Sequence, residues 1–396
     1  MSSVALLGAD GTSTRLELAP PPPDPRPAHA PRTREVFAAA HVVPRAWADN
    51  TPGAPAELDW DATLAFRRHV WSWGLGVADA MDTAQRNMGL DWAATTELIR
   101  RSAAAAREVG GPLVVGVNTD HVAEPVIPLD AVIDAYLTQL EVAEDAGAGV
   151  VLMASRHLAR AAESAADYER VYRAVLDRAG APVVLHWLGD AFDAQLAGYF
   201  GPAGSTGADW RAAAETVQRI IGENLAKVRG IKMSLLDAEA ERVVRAGLPA
   251  PARLYTGDDY HYVELIEGGR DVDGVQRHSD ALLGAFAAVA PRAAVALAAL
   301  DDGDTARYRA VLAPTEALAR QVFAAPTPYY KTGVAFLSWL NGHQSAFQLV
   351  GGLHAGRGLV HLSELVRLAD AAAALESPDL AAERWGALLR VNGIEA

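Results

Sequence analysis

The sequence contains no cysteine among its 396 residues. Disulfide bonds, thiolate metal sites and a cysteine nucleophile are therefore all excluded. The sequence also lacks an uninterrupted apolar run long enough to cross a bilayer, and no charged leader followed by an apolar stretch precedes the rest. We therefore expect a cytoplasmic protein that does not insert into a membrane.

Positive charge is also scarce. The chain has 35 lysine and arginine residues against 49 aspartate and glutamate residues, which gives a formal net charge of −14. Nucleic-acid binding requires a basic surface that replaces the counterions of the phosphates, so this balance argues against a nucleic-acid partner. Hydrophobic residues make up 51% of the chain, which is enough to form a large core.

The first 33 residues differ in pattern from the rest of the chain. Two short segments, Val4–Leu7 and Arg15–Leu18, flank the turn signal Gly8-Ala-Asp-Gly11 and predict a β-hairpin. The proline-rich stretch Pro20–Pro31 predicts an extended connector. We expect residues 1–33 to consist of this hairpin and connector.

From Val36 onward, short apolar segments alternate with longer segments of helical periodicity. This alternation predicts parallel strands joined by right-handed helical crossovers. The predicted strands are Val36–Val43, Gly76–Met81, Pro112–Val117, Val150–Ala154, Pro182–Trp187, Gly230–Met233 and Arg253–Thr256. An eighth strand is predicted either at Ala293–Leu297 or within Val275–Ala285. The pattern predicts an α/β protein with a (β/α)8 TIM barrel over residues 34–300, and an open doubly wound sheet is the alternative.

The predicted helices of the barrel lie between these strands. They are Trp60–Trp73, Ala93–Val109, Leu129–Ala146, Ala166–Arg178, Asp209–Leu225 and Ala238–Ala246. Beyond Asp301 only helical patterns occur, at Thr305–Phe323, Lys331–Leu340 and Ser363–Glu376. We therefore expect residues 301–396 to form a C-terminal helical extension.

Catalytic residues of such a barrel lie at the C-terminal ends of its strands. Strand alternation in Val228–Ser234 directs Gly230, Lys232 and Ser234 into the barrel. Burial lowers the pKa of a lysine, and the neutral amine can attack a carbonyl to form a Schiff base. A decrease from about 10.4 to about 7 requires roughly 4–5 kcal/mol. Alternatively, Lys232 reaches solvent or pairs with Asp237.

Six motifs, one of which is the segment around Lys232, follow one another along the chain. They are Asp59-Trp-Asp61, Ala143-Glu-Asp-Ala-Gly-Ala-Gly149, Ala181-Pro-Val-Val-Leu-His186, Gly230-Ile-Lys-Met-Ser234, Thr256-Gly-Asp-Asp259 and Pro328-Tyr-Tyr-Lys-Thr-Gly333. In these motifs and their order, the chain from about Val36 to about His343 resembles the dihydrodipicolinate synthase/N-acetylneuraminate lyase superfamily. It looks like a branch distinct from the named enzymes. The resemblance implies that Lys232 is the Schiff-base lysine of a class I aldolase or lyase.

Two positions depart from the pattern of this superfamily. The family has a proton-relaying tyrosine at the end of its fifth strand, where this chain has His186. An imidazole can also move protons near neutral pH, although a histidine merely bonded to a neighbouring loop is the alternative. The family's glycine-rich carboxylate-binding loop is replaced by Asp79–Asn87, in which Thr83 keeps a hydroxyl. The changed loop favours a sugar-derived keto compound over pyruvate.

Polar residues at the predicted strand ends are candidates for binding the hydroxyls of a substrate. The predicted substrate-binding residues are Asp79, Asp82, Thr83, Arg86, Asn118, Arg156, Asp190, Ser234, Thr256 and Asp258. Arg86 or Arg156 is suited to hold a carboxylate or phosphate with two hydrogen bonds. For Asp190 and Asp258, helix capping is the alternative role.

Three functions fit these observations. In the first, Lys232 forms an imine with a keto acid or sugar-derived keto compound, and His186 moves protons, so the protein is a cofactor-independent lyase, aldolase or dehydratase. The second is a metal-dependent sugar isomerase or epimerase, although no ligands have the spacing of a metal-binding motif and we predict no metal site. The third is a non-catalytic protein that binds a metabolite. The resemblance also implies a homo-oligomer, either a dimer or a tetramer.

Overall fold

Eight parallel strands form a closed barrel in the computed structural model, which describes residues 2–394. A helix follows each of these strands along the chain and packs outside the barrel, which is the arrangement of a (β/α)8 TIM barrel. The predicted fold class is therefore confirmed, and the alternative of an open doubly wound sheet is wrong.

Strands and helices alternate through the barrel, and only helices follow it. The strands are β1 (Ser3–Leu7), β2 (Ser13–Glu17), β3 (Val36–Ala39), β4 (Gly76–Asp79), β5 (Leu113–Val117), β6 (Gly149–Leu152), β7 (Val183–Leu188), β8 (Val228–Ser234), β9 (Arg253–Thr256), β10 (Gly269–Arg270), β11 (Gln276–Arg277) and β12 (Asp280–Leu283). The helices are α1 (Trp60–Ser72), α2 (Trp92–Val109), α3 (Leu129–Asp145), α4 (Arg156–Ala161), α5 (Ala165–Arg178), α6 (Trp210–Glu223), α7 (Ala238–Gly247), α8 (Tyr262–Glu267), α9 (Ala285–Asp301), α10 (Thr305–Val322), α11 (Tyr330–Leu340), α12 (Leu359–Ala371) and α13 (Pro378–Val391). Short 3₁₀ helices span Asp82–Ala84, Ala194–Leu196, Gly207–Asp209, Thr327–Tyr329 and Val350–Gly356.

The eighth barrel strand is β12, which closes the barrel between β9 and β3. Of its two predicted positions, the Val275–Ala285 region is right and Ala293–Leu297 is wrong. Ala293–Leu297 lies inside α9, an alanine-rich helix with buried residues around most of its circumference. A short apolar run in a fully buried helix resembles a buried strand, so periodicity alone does not separate the two.

Capping explains where the barrel helices begin and end. The Asp59 side chain accepts a hydrogen bond of 3.0 Å from the backbone N–H of Ala62 and so begins α1 at the predicted position. At the other end of a helix, α2 stops at Gly110, whose φ of 66° lies in the left-handed region that favours glycine.

The inner face of the barrel is set by strand alternation. Phe37, Val184 and Tyr255 belong to one buried cluster inside the barrel. Lys232 in β8 lies in register with His186 in β7 and with Tyr255 in β9. Neighbours in register share a face of the sheet, so His186 and Lys232 point inward at the C-terminal end of the barrel, as predicted for Lys232.

The N-terminal hairpin forms as predicted, with β1 and β2 antiparallel and Ser3 opposite Glu17. It packs against α12 and α13 of the C-terminal extension. The indole N–H of Trp385 donates to the carbonyl oxygen of Ala5 over 2.7 Å, which fixes the hairpin to α13. The two ends of the described chain therefore pack together.

The C-terminal extension contains the three predicted helices, here α10, α11 and α12, and a fourth, α13, that the sequence analysis missed. Only Ala381, Trp385 and Leu389 are buried in α13, a narrow stripe that gives a weak periodic signal.

Within residues 2–394, no helix is long and apolar enough to cross a membrane.

Candidate active site at the barrel mouth

Lys232 lies at the C-terminal end of β8, and its side chain is buried, with 7% of the residue exposed. Gly257, in the turn after β9, makes room for it. A Cβ atom at Gly257 would lie 2.8 Å from Cε of Lys232 and 2.3 Å from Oγ of Ser234. Glycine is therefore required at this position for the lysine to reach the centre of the mouth.

Two carboxylates face Lys232. Burial lowers the pKa of its amine, and the negative charges of Asp82 and Asp259 oppose this decrease. Within residues 2–394, the amine makes no ion pair of 4.0 Å or less. Burial in turn raises the pKa values of both Asp82 and Asp259. The amine is thus close to acids that can share its proton, and it is not neutralised by a direct ion pair.

His186 is fully buried beside the lysine. Its Nε2 atom lies 3.3 Å from Oγ of Ser234, and its Nδ1 atom lies 4.0 Å from Oδ2 of Asp82. Neither Nδ1 nor this Oδ2 has a hydrogen-bond partner among the described residues. Burial, followed by the charge of Lys232, lowers the pKa of His186 well below its usual value. The imidazole is therefore neutral at physiological pH.

A tyrosine from the C-terminal extension also enters the mouth, although no role was predicted for it from the sequence. Tyr330 begins α11, and its hydroxyl lies 2.9 Å from Oγ1 of Thr83. Burial raises the pKa of Tyr330, and the charges of Asp82 and Asp259 add to this increase. The predicted residue Thr83 thus lies in the mouth, where it orients a phenol.

A second buried lysine, Lys331, follows this tyrosine. Its amine donates to the carbonyl oxygen of Pro328 over 3.2 Å and lies 4.4 Å from the centre of the Tyr330 ring. Burial lowers the pKa of Lys331 to about 8, against the opposing charges of Asp82 and Asp193. Lys331 belongs to the Pro328–Gly333 motif, which indicated the family resemblance but not a place for this lysine in the barrel mouth.

Arg156 lies on the same side of the mouth as Lys331, since its charge contributes to the lower pKa of that lysine. Its Nε atom donates to Oδ2 of Asp193 over 2.6 Å. Its two terminal nitrogens have no protein partner among the described residues. Arg156 and Asn118 also line a polar cleft of about 200 Å³. These positions suit binding of an anionic or hydroxylated group.

Two predicted substrate-binding residues have structural partners instead. Asp79 is fully buried and paired with Arg67 of α1, with contacts of 3.0 Å and 2.7 Å. Arg86 is paired with Asp120 and also donates to the carbonyl oxygens of Ala80 and Gly116. Both side chains therefore hold loops in place, which is a correction to their predicted roles.

Three more predicted residues lie away from Lys232. Asp190 is exposed and lies beside Gly207, in a separate small cavity of about 70 Å³. The Thr256 hydroxyl accepts a hydrogen bond from the N–H of Asp258, and it faces Glu241 of the outer helix α7. Asp258 accepts from the N–H of Tyr260, as a capping residue does. The carboxylate of this turn that faces the lysine is instead Asp259.

Several solved structures have a similar fold. A putative dihydrodipicolinate synthetase from Pseudomonas aeruginosa is 18% identical, with a TM-score of 0.60, and the match covers 84% of this chain and 99% of that one. YagE, a prophage protein of the dihydrodipicolinic acid synthase family from E. coli K12 in complex with pyruvate, is 16% identical, with a TM-score of 0.63 over 85% and 98% of the two chains. The dihydrodipicolinate synthase from Cyanidioschyzon merolae with lysine bound is 15% identical, with a TM-score of 0.62, and the match covers 86% of this chain and 98% of that one.

These similarities confirm the predicted resemblance to the dihydrodipicolinate synthase superfamily at the level of the fold. No curated protein matches the sequence significantly. A family model described as "Protein of unknown function (DUF993)" matches residues 4–394. Since this match covers nearly the whole sequence, the chain belongs to the DUF993 family, a branch with the fold of the dihydrodipicolinate synthases.

Proposed function

We propose that this protein is a class I lyase or aldolase that forms an imine between Lys232 and the carbonyl carbon of a keto acid or sugar-derived keto compound. The observation that carries the proposal is the state of Lys232. It is buried at the end of a barrel strand, its pKa is lowered, and it faces two carboxylates without a direct ion pair. A lysine in this state is available as a nucleophile.

Asp82 and Asp259 can accept and then return the proton that imine formation requires. Transfer of a proton from the Lys232 ammonium to Asp259 or Asp82 gives a neutral amine and a neutral acid, and burial favours both neutral forms. The amine then adds to the carbonyl carbon. The acid returns its proton to the resulting hydroxyl, which leaves as water, so the step consumes no further reactant.

Two groups are placed for the later proton transfers. Neutral His186 can accept a proton, and Ser234 lies within 3.3 Å of its Nε2 atom. The Tyr330 hydroxyl, held by Thr83, can donate one. When a carbon–carbon bond breaks, neutral His186 accepts the proton of the substrate hydroxyl as that group becomes a carbonyl, and the electron pair of the bond moves into the protonated imine. The resulting enamine then regains one proton at carbon, either from the protonated His186 or from Tyr330, which recovers its own proton from His186.

The side of the mouth formed by Lys331 and Arg156 supports an anionic substrate. Lys331 is mostly protonated at neutral pH because its pKa is about 8. Arg156 offers terminal nitrogens that can bind a carboxylate. The complex of YagE with pyruvate shows that a similar fold accommodates a keto acid. We therefore favour a keto acid, including the longer keto acids derived from sugars.

Reductive trapping tests the proposal directly. The chain has only three lysines, Lys227, Lys232 and Lys331, so peptide mass spectrometry can assign an adduct without ambiguity among them. The protein is incubated with borohydride and, in turn, pyruvate, dihydroxyacetone, keto sugars and 2-keto-3-deoxy acids. We expect a reduced adduct on the Lys232 peptide with at least one compound.

Two variants complete the experiment. Lys232→Arg keeps the charge but should abolish the adduct, because a guanidinium does not form an imine under these conditions. Lys227→Arg is the matched control, because Lys227 donates to the carbonyl oxygen of Ala179 outside the mouth, and labelling should be unchanged. An adduct on Lys331 alone, or no adduct with any compound, would refute the assignment of Lys232.

A further inference from the structure

Three potential metal ligands converge outside the barrel mouth. His69 lies in the last turn of α1, His343 follows α11, and Glu376 follows α12. One ligand atom from each residue lies within 4.8 Å of the other two. Because the ligands come from three distant parts of the chain, no local spacing in the sequence could reveal them.

The separations between these atoms fit a tetrahedral metal ion. Nε2 of His343 lies 2.8 Å from Oε1 of Glu376, and Nε2 of His69 lies 3.6 Å from the same oxygen. Ligands bound to zinc at 2.0–2.1 Å with tetrahedral angles are about 3.3 Å apart. These two separations bracket this value, and all three ligand atoms lie within 4.8 Å of one another, so small side-chain rotations would bring them to an ion.

The surroundings hold the ligands in place. The N–H of Glu376 donates to Oδ1 of Asn341 over 2.9 Å, and Nδ2 of Asn341 donates to the carbonyl oxygen of Ala374 over 2.9 Å. The N–H of His343 donates to the carbonyl oxygen of Ser338 over 3.0 Å. These bonds connect the two loops that carry His343 and Glu376 and reduce the ordering cost of binding.

The ligand set is chemically suited to zinc, and it remains open to solvent. Two imidazoles and one carboxylate are ligands that zinc accepts. The side chains are 18%, 16% and 32% exposed for His69, His343 and Glu376, which leaves an ion able to enter and to keep a water as its fourth ligand. The guanidinium of Arg26 lies over the Trp73 ring and forms no ion pair with Glu376 among the described residues.

We propose that His69, His343 and Glu376 bind one zinc-type divalent metal ion that ties the C-terminal extension to helix α1 of the barrel. The two histidines donate neutral nitrogen lone pairs, and the carboxylate balances part of the charge. The bound ion would join helix α1 to the C-terminal extension, and its binding is independent of the imine chemistry of Lys232, which requires no metal ion.

Metal binding to the full chain tests this proposal. The purified protein is freed of metal with a chelator and titrated with zinc, and binding is followed by calorimetry and thermal unfolding. We expect one ion per chain. At a hundredfold excess over the dissociation constant, the melting temperature should rise by about 3 °C, given the unfolding entropy of a chain of this length. Magnesium, which prefers oxygen ligands, should cause no shift.

Three variants separate this site from adventitious binding. Glu376→Gln is nearly isosteric and can still accept a hydrogen bond from His343, so it should fold normally while binding zinc at least tenfold more weakly. His343→Ala should bind still more weakly. His29→Ala, at an exposed histidine of the connector, should bind zinc like the unmodified protein. The proposal would be overturned if the unmodified protein bound no zinc. It would also be overturned if Glu376→Gln and His343→Ala bound zinc as tightly as the unmodified protein does.

Discussion

Gly257 is the position at which the smallest change tests the geometry around Lys232. A methyl group there would lie 2.3 Å from Oγ of Ser234, 2.7 Å from the carbonyl oxygen of Met233 and 2.8 Å from Cε of Lys232. The Met233 carbonyl also accepts a hydrogen bond of 2.7 Å from the N–H of Gly257, so the backbone cannot move away freely. The side chains of Lys232 and Ser234 must therefore move, and the contact with the Met233 carbonyl oxygen leaves strain in the backbone.

We expect two measurable effects of Gly257→Ala. The free energy of unfolding should fall by about 1–3 kcal/mol, which is typical of overpacking a dense interior. Displacement of the lysine amine by about 1 Å should slow imine formation about 100-fold. Denaturant unfolding measures the first effect, and the rate of borohydride-dependent labelling of the Lys232 peptide measures the second.

Gly222→Ala is the matched control. Gly222 is exposed in α6, and a methyl group there would meet no atom within 4 Å. Alanine should stabilise this helix by about 0.5–1 kcal/mol and leave labelling unchanged. If Gly257→Ala labels at the same rate as the unmodified protein, the close packing of Gly257 against the reactive lysine is refuted.

Three further changes test other parts of the structure. Arg67→Met leaves Asp79 buried without its partner and should lower the free energy of unfolding by about 3–5 kcal/mol in denaturant unfolding; a loss below about 1 kcal/mol would contradict the structural role of this pair. Lys331 loses its proton as pH rises through its pKa of about 8. The neutral amine should bind the keto acid more weakly. The keto-acid concentration that gives half-maximal labelling should therefore rise across that pH in the unmodified protein, but not in Lys331→Arg, which keeps its charge. Burial raises the pKa of Glu241 from 4.5 to about 8, so between these values the folded state keeps a proton that the unfolded state releases. The contribution of Glu241 to stability should therefore fall as pH rises, by up to about 1.4 kcal/mol per pH unit, and unfolding of Glu241→Gln at several pH values should lack this slope.

The candidate site was only partly predictable from the sequence. Alternation within β8 was enough to direct Lys232 inward, and the order of motifs was enough to select the superfamily. The turn after β9 was also recognised, but its two acids were not distinguished. Asp258 caps the turn and Asp259 faces the lysine, because the direction of each side chain in a tight turn depends on backbone angles that sequence patterns do not specify.

The ion-pair partners were likewise beyond sequence reasoning. Asp79 ends β4 and Arg86 lies in the loop that follows, where a substrate-binding residue belongs, yet each is paired with an opposite charge within the protein. A charged side chain near the mouth is free for substrate only when no buried partner reaches it. That condition depends on packing between elements far apart in the chain.

Local patterns in the sequence were enough to predict the alternation of strands and helices, the bounds of most helices, the N-terminal hairpin and the inward direction of Lys232. These follow from local rules, because the side-chain period of a strand and the capping of a helix are fixed by the backbone geometry of a few neighbouring residues. The homo-oligomer, the cytoplasmic location and the domain bounds stay predictions. The packed fold was needed to show that Tyr330 and Lys331 enter the barrel mouth and that Glu376 lies beside two histidines, since those contacts join segments that approach one another only after the chain has packed.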